Sequence, residues 1–280
     1  MNPRLSLDPV SDFHQLWLFP FMQNALEAGT IVALTAAVAG WFLVLRRQSF
    51  AGHTLAVMSF PGASGAALAG IPLAAGYFTS CAVAALAIGA AGSRDRSQES
   101  AVTGTVQVAG FALGFLFLSL YHGVLESLET VLFGSFLGIT RDQVLTLLGV
   151  SAATLGFFAA AGRPLLYASV DPVAAGARGV PVRALEPAFL LVLGLSVAAT
   201  AQITGVLLVF ALLAAPAAAA QQLTARPWLG LLLTGVLALV VTWLALGLSY
   251  FTDYPVGFLV TSLAFGAYVL ALASRRLRRC

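Results

Sequence analysis

Few side chains in this sequence can hold a metal, move a proton or act as a nucleophile, and they are scattered. His53 adjoins a long apolar run, with Thr54, Met58 and Ser59 beside it in sequence. A neutral imidazole is a good ligand for a transition metal. A polar group in or beside a membrane helix is costly unless it faces a cavity or a partner, which makes its placement a functional hypothesis by default. The alternative is a structural group at the inner interface, close to Arg46 and Arg47. His122, Glu126 and Glu129 are spaced as on one helix face, able to meet an ion or a binding protein, or simply a solvated loop. Glu27 lies near the start of the first apolar run, where the helix dipole favours an acid. Within the apolar runs there is no H-E-x-x-H, no Ser–His pairing and no paired carboxylate. An intramembrane enzyme would need such a constellation.

All 14 basic residues are Arg, and Lys is absent. A Walker A loop needs its Lys to hold nucleotide phosphates, so any ATP chemistry must come from another chain. The net charge of +3 is small and its Arg residues are spread among loops, which gives no nucleic-acid surface. Cys81 sits inside an apolar run and Cys280 is the last residue, without metal-type spacing and with nothing to support a bridge between them.

The elements that must position these groups belong in lipid. Hydrophobic residues make up 60% of the chain and charged ones 9%, and the mean hydropathy is +0.94. A soluble domain runs near 25% charged. Only helices and closed barrels satisfy their own backbone in a bilayer, and the runs here are long, continuous and rich in Leu and Ala, so helices are expected. The expected fold is all-α, a polytopic transmembrane bundle of eight or nine spans. Runs lie at about 24–45, 54–70, 72–91, 101–120, 143–161, 185–201, 203–222, 228–250 and 256–273. Residues 1–22 read as an interfacial segment, 23–273 as the membrane domain and 274–280 as a basic cytoplasmic tail. The apolar stretch 126–139 reads as re-entrant or as a surface helix.

Orientation follows from the Arg residues. If 24–45 runs inward, the loops 46–53, 92–100, 162–184, 223–227 and 274–280 are cytoplasmic. They hold Arg46, Arg47, Arg94, Arg96, Arg163, Arg178, Arg183, Arg226, Arg275, Arg276, Arg278 and Arg279, against Arg4 and Arg141 outside. The positive-inside rule then places the N-terminus outside and the C-terminus in the cytoplasm of a bacterial or archaeal inner membrane.

Gly62, Ala66 and Gly70 stand four apart on one helix face, as in close helix contacts. Pro216, inside a run of alanines from Ala214 to Ala220, removes one helix hydrogen bond. Both features read as packing, with a gate as the alternative. In the loop Arg163–Ala184, Ser169 or Asp171 can cap a short helix, Pro172 suits its first turn and Gly179 its end. Apolar Val173, Ala174 and Ala177 on that helix could sit in a partner's groove or lie on its own bundle.

This loop and the segments around it resemble the membrane subunit of ABC-type importers of zinc, manganese and iron. Three stretches carry the resemblance: Phe42 to Ala56 with Phe60-Pro61-Gly62-Ala63, Leu132 to Ile139, and Ala168 to Arg183 continuing to Gly205–Leu213 and Pro216-Ala217-Ala218. It spans about residues 22–273. The resemblance implies a homodimeric permease with two cytoplasmic ATPase subunits that bind the ATP, an extracytoplasmic substrate-binding protein, a divalent metal ion as cargo and no cofactor on this chain. It also implies that the Asp171–Gly179 helix, with Ser169 just before it, couples to the ATPase.

One departure bears on the cargo. In that family the helix after the Arg pair carries Gly-Asp and then Ser-His, a carboxylate and an imidazole one helical turn apart, suited to a divalent transition metal. Here His53 stands at the Asp position and Val57 at the His position, and Val108 where some members place another His. A metal chelate or another small nutrient is therefore an alternative cargo. A self-sufficient gradient-driven carrier is a weaker one, because no acid lies deep in a span and no internal repeat is evident.

Overall fold

A computed structural model of the chain describes residues 19–90, 96–121, 138–252 and 254–277. The interfacial segment up to residue 18, most of the 126–139 stretch, His122, Glu126, Glu129 and the last three residues lie outside the described residues. Every regular element among those described is helical. They are α1 (Pro20–Leu45), α2 (Ser49–Val57), α3 (Ser59–Ala69), α4 (Leu73–Ala90), α5 (Arg96–Leu120), α6 (Arg141–Val170), α7 (Pro172–Ala177), α8 (Val182–Thr204), α9 (Val206–Leu223), α10 (Pro227–Phe251) and α11 (Val256–Leu277).

Local chemistry explains the boundaries. Proline opens α1, α7 and α10, where its missing N–H costs nothing. Thr140 and Gln143 form a reciprocal capping box at the start of α6, with Gln143 Oε1 accepting from the Thr140 N–H at 3.0 Å. Gly70 ends α3 in the left-handed region at φ 67°, where a side chain would be strained.

Seven of these helices are individually long and apolar enough to cross a bilayer. The difference from eight or nine lies in two places. The run expected at 54–70 is divided at Met58 into α2 and α3. Pro61 explains the division: its ring crowds the carbonyl of Val57, four residues back, and it donates no hydrogen bond. The run expected at 203–222 is α9, whose apolar stretch Leu208–Leu223 is short. A second difference concerns Arg163–Ala184, expected as a loop. Helix α6 carries on through Pro164 to Val170, and α8 begins at Val182, so the connection shrinks to α7 and its flanks.

Helices α1 and α8 form the centre, with 67% and 61% of their most apolar stretches buried, while α5 and α11 bury only 17%. Helix α1 packs on α6, α9 and α10; α8 packs on α4, α6 and α2. In the absence of a hydrophobic force between lipid-bathed helices, close contact supplies the attraction, and small residues permit it. A Cβ on Gly62 would lie 2.3 Å from the Gly76 carbonyl oxygen, and one on Gly40 2.0 Å from that of Leu213. The α3–α4 and α1–α9 backbones therefore touch. Ala66, 2% exposed, shares the α3–α4 contact with Gly62. Gly70 meets nothing within 4 Å and serves the helix end instead. Pro216 is buried within α9, which runs through it.

Candidate functional site

His53 lies in the second turn of α2. Its depth can be read from its neighbours: the Leu55 carbonyl accepts from Cys81 Sγ at 3.3 Å, and Cys81 stands at the middle of α4. The imidazole is therefore within the bundle, not in the loop where residues 46–53 were expected. It is half-buried and meets the Phe210 ring of α9 nearly edge-on, with centroids 5.0 Å apart. The neighbours in sequence are committed elsewhere. Thr54 Oγ1 donates to Gln107 Oε1 at 3.1 Å, Met58 fills the space over Gly110, and Ser59 Oγ is 3.5 Å from Cys81 Sγ. Val57, one turn along, is 5% exposed. Among the described residues no three of His, Cys, Asp and Glu come together to hold a metal. His53 is thus the single imidazole among the described residues.

Helix α7 forms as its sequence dictates. Of the two possible caps it is Asp171 that acts, its Oδ1 accepting from the Ala174 N–H at 2.9 Å. Pro172 is the first helical residue, and Gly179 leaves the helix at φ 82°. Ser169 belongs to the last turn of α6, where its hydroxyl donates to the Leu165 carbonyl at 2.5 Å. Ala175 is fully buried against the bundle and Ala174 half-buried. Val173, 82% exposed, and Ala177 point away. One face of α7 rests on its own bundle and the other is free and apolar.

The sequence reading missed a cluster beside α7. Gln48, between α1 and α2, donates from Nε2 to Glu99 Oε1 at 2.8 Å and to Glu186 Oε1 at 3.2 Å. Its Oε1 accepts from Arg46 Nε at 3.1 Å, and Arg46 Nη1 reaches Ser169 Oγ at 3.3 Å. Burial pushes the Arg46 guanidinium below its ordinary pKa, while Glu186 and then Glu99 act to raise it. A crevice lined by Arg46, Arg47, Phe50, Glu99 and Thr103 opens alongside. The available signal was the pair of acids, Glu99 and Glu186, at the rims of apolar runs. At the opposite end Glu27 pairs with Arg141 at 2.9 Å, an exposed bridge worth about 0–1 kcal/mol.

Comparison with known proteins places this geometry. The ABC 3 transport family profile matches residues 18–275. The manganese transport system membrane protein MntC of Halalkalibacterium halodurans is 30% identical over 259 residues, 92% of this chain and 89% of that protein. The chelated iron transport system membrane protein YfeD of Yersinia pestis is 32% identical over 198 residues, 71% of this chain and 66% of that protein. The solved structure of PsaBC from Streptococcus pneumoniae in complex with Fab shares the fold, with a TM-score of 0.82 at 24% identity and 94% of each chain covered. By the extent of the family match and of the similarity to MntC, the chain belongs to the ABC 3 transport family and is a membrane permease subunit.

Proposed function

We propose that this chain carries a divalent metal ion (manganese, iron or zinc) inward across the membrane, driven by ATP hydrolysis on separate subunits. The observation that carries the reading is the family match over residues 18–275, together with near full-length similarity to a manganese transport protein. The absence of Lys, and with it of a Walker A loop, supports placing the ATPase on other chains. The free apolar face of α7 supports its role as the coupling helix, seated through Val173 and Ala177 in an ATPase groove. Two copies of residues 23–273, two ATPase subunits and an extracytoplasmic binding protein would complete the importer. With α2 and α3 crossing together as a broken helix and α9 as a short one, nine crossings result. Reconstitution tests the reading: proteoliposomes holding permease and ATPase, given the binding protein, should accumulate radiolabelled manganese or zinc only with ATP at the ATPase face. Uptake of a metal chelate but of no free ion would favour the cargo of the YfeD type. Accumulation without ATP hydrolysis would overturn the proposal.

The orientation is N-terminus outside, C-terminus cytoplasmic. Its support is that Arg46, Ser169 and Glu186 cluster at one end of the bundle, and Glu27 and Arg141 at the other. Cys81 is fully buried, and the other Cys of the sequence is Cys280. A membrane-impermeant maleimide should label Cys280 in permeabilised cells and not in intact ones. Labelling of intact cells would invert the topology and put α7 on the wrong side.

A further inference from the structure

Four elements meet on one side chain at the α7 end of the bundle. Gln48 is 6% exposed, and its amide nitrogen spends both donors on carboxylates, Glu99 of α5 and Glu186 of α8. Its oxygen is spent on Arg46 Nε. Arg46 lies over the Phe189 ring of α8, 5.1 Å from its centroid, and extends to Ser169, two residues before the cap of α7. Between Arg46 and Gln48 stands Arg47 at φ 57°, a left-handed backbone that a non-glycine residue holds only when its surroundings impose it. Two turns further on, Thr54 bonds to Gln107, so α2 is fastened to α5 at a second point.

We propose that the Gln48 amide is the junction through which displacement of α7 reaches α2, making Gln48 and Arg46 positioning residues for ATP-coupled transport. The inference rests on the reading of α7 as the docking helix. The chemistry supports a discrete switch in place of a continuous deformation. Two carboxylates held on one nitrogen in a partly buried site repel each other, and the amide and the Arg46 guanidinium offset that repulsion. If Ser169 moves and takes Arg46 with it, the Gln48 oxygen loses its donor and the carboxylates lose the charge of Arg46. Helices α5 and α8 are then released from the start of α2. Intact or parted, the junction has two arrangements, as a coupling element between distant sites requires. Because α2 carries His53, the released element is the one bearing the candidate ligand.

The experiment uses the complete transporter in proteoliposomes and reads manganese taken up per ATP hydrolysed. Gln48→Leu keeps the bulk of the side chain and removes all three hydrogen bonds. It should leave ATPase co-purification at the parental level and lower the uptake-to-hydrolysis ratio at least tenfold. The exchange Gln48→Glu/Glu99→Gln/Glu186→Gln reverses donor and acceptor in both amide–carboxylate bonds and keeps an acceptor for Arg46. This variant should return to within threefold of the parent. A residue that only stabilises the fold would alter yield and melting temperature without changing the ratio. A parental ratio in Gln48→Leu, or an exchange variant no better than Gln48→Leu, overturns the junction. If Gln48→Leu does not assemble, Ser169→Ala decides, because it removes the α7-side bond and a back-bond that α6 does not need. Its ratio should fall two- to fivefold, and an unchanged ratio overturns the proposal. A parent that hydrolyses ATP without moving manganese would count against the cargo or docking reading, not against the junction.

Discussion

Replacing Val173 with Asp is expected to abolish ATP-driven uptake while leaving the permease folded in the membrane. Val173 is 82% exposed on the outward face of α7, so the substitution disturbs no contact within the chain. It also falls at the second position of the helix, where the positive end of the dipole favours a carboxylate. Helix α7 should therefore form as well or better. The cost arises only when that face enters an apolar groove and the carboxylate must shed its water. On the order of 3 kcal/mol lost at such a contact weakens association roughly a hundredfold. The variant should be extracted at parental yield, fail to co-purify with the ATPase and show no stimulated hydrolysis. Ala175→Asp is the contrast: Ala175 is fully buried on the bundle, so that variant should lose folded protein instead. Ala174 is half-buried and would mix the two effects. Parental co-purification of Val173→Asp would remove α7 from the docking role.

Helix α7 was legible in the sequence because its determinants are local. A cap, a proline and a glycine within nine residues act through neighbouring backbone groups, and the structure resolves only whether Ser169 or Asp171 caps. The membrane helices were legible for a related reason, since a bilayer makes each one satisfy its own backbone. Where a helix stops inside the protein was less so. Arg163 and Pro164 read as an end to α6, yet its last turn is held by Leu165, fully buried, and Ala168, 6% exposed. Packing against the bundle outweighs what Pro164 removes. The break at Met58 likewise leaves no mark on apolar periodicity. The Gln48 junction was illegible for a third reason: its bonds join residues 51 and 138 positions apart, and no spacing rule links them. His53 shows the same limit within a single site, because sequence names the imidazole and not the ring it meets.

Replacing His53 with Ala should lower metal uptake at least tenfold while assembly with the ATPase stays intact. The motive is an imidazole placed inside the bundle on a helix that the resemblance assigns to the cargo, with no group of three His, Cys, Asp or Glu among the described residues to hold the ion instead. A single nitrogen ligand gives weak binding, which suits an ion that must enter and leave. The competing explanation is packing, because the ring meets Phe210 edge-on at 5.0 Å. His53→Phe separates the two, since it keeps an aromatic ring against Phe210 and removes the lone pair. Both variants should lose uptake if the nitrogen binds the ion, and only the Ala variant should suffer if the ring packs. Ligand chemistry predicts the direction of further changes. Imidazole favours zinc and other later first-row metals, and carboxylate favours manganese. His53→Asp should therefore move the zinc-to-manganese uptake ratio towards manganese. Adding Val57→His to the parent places a second nitrogen one turn along the same helix, in a site where Val57 is 5% exposed. That variant should lower the zinc concentration giving half-maximal uptake. The measurement is initial uptake of each radiolabelled ion, normalised to permease in the membrane. Parental transport in both His53→Ala and His53→Phe would show that the ion passes on water and backbone oxygens alone.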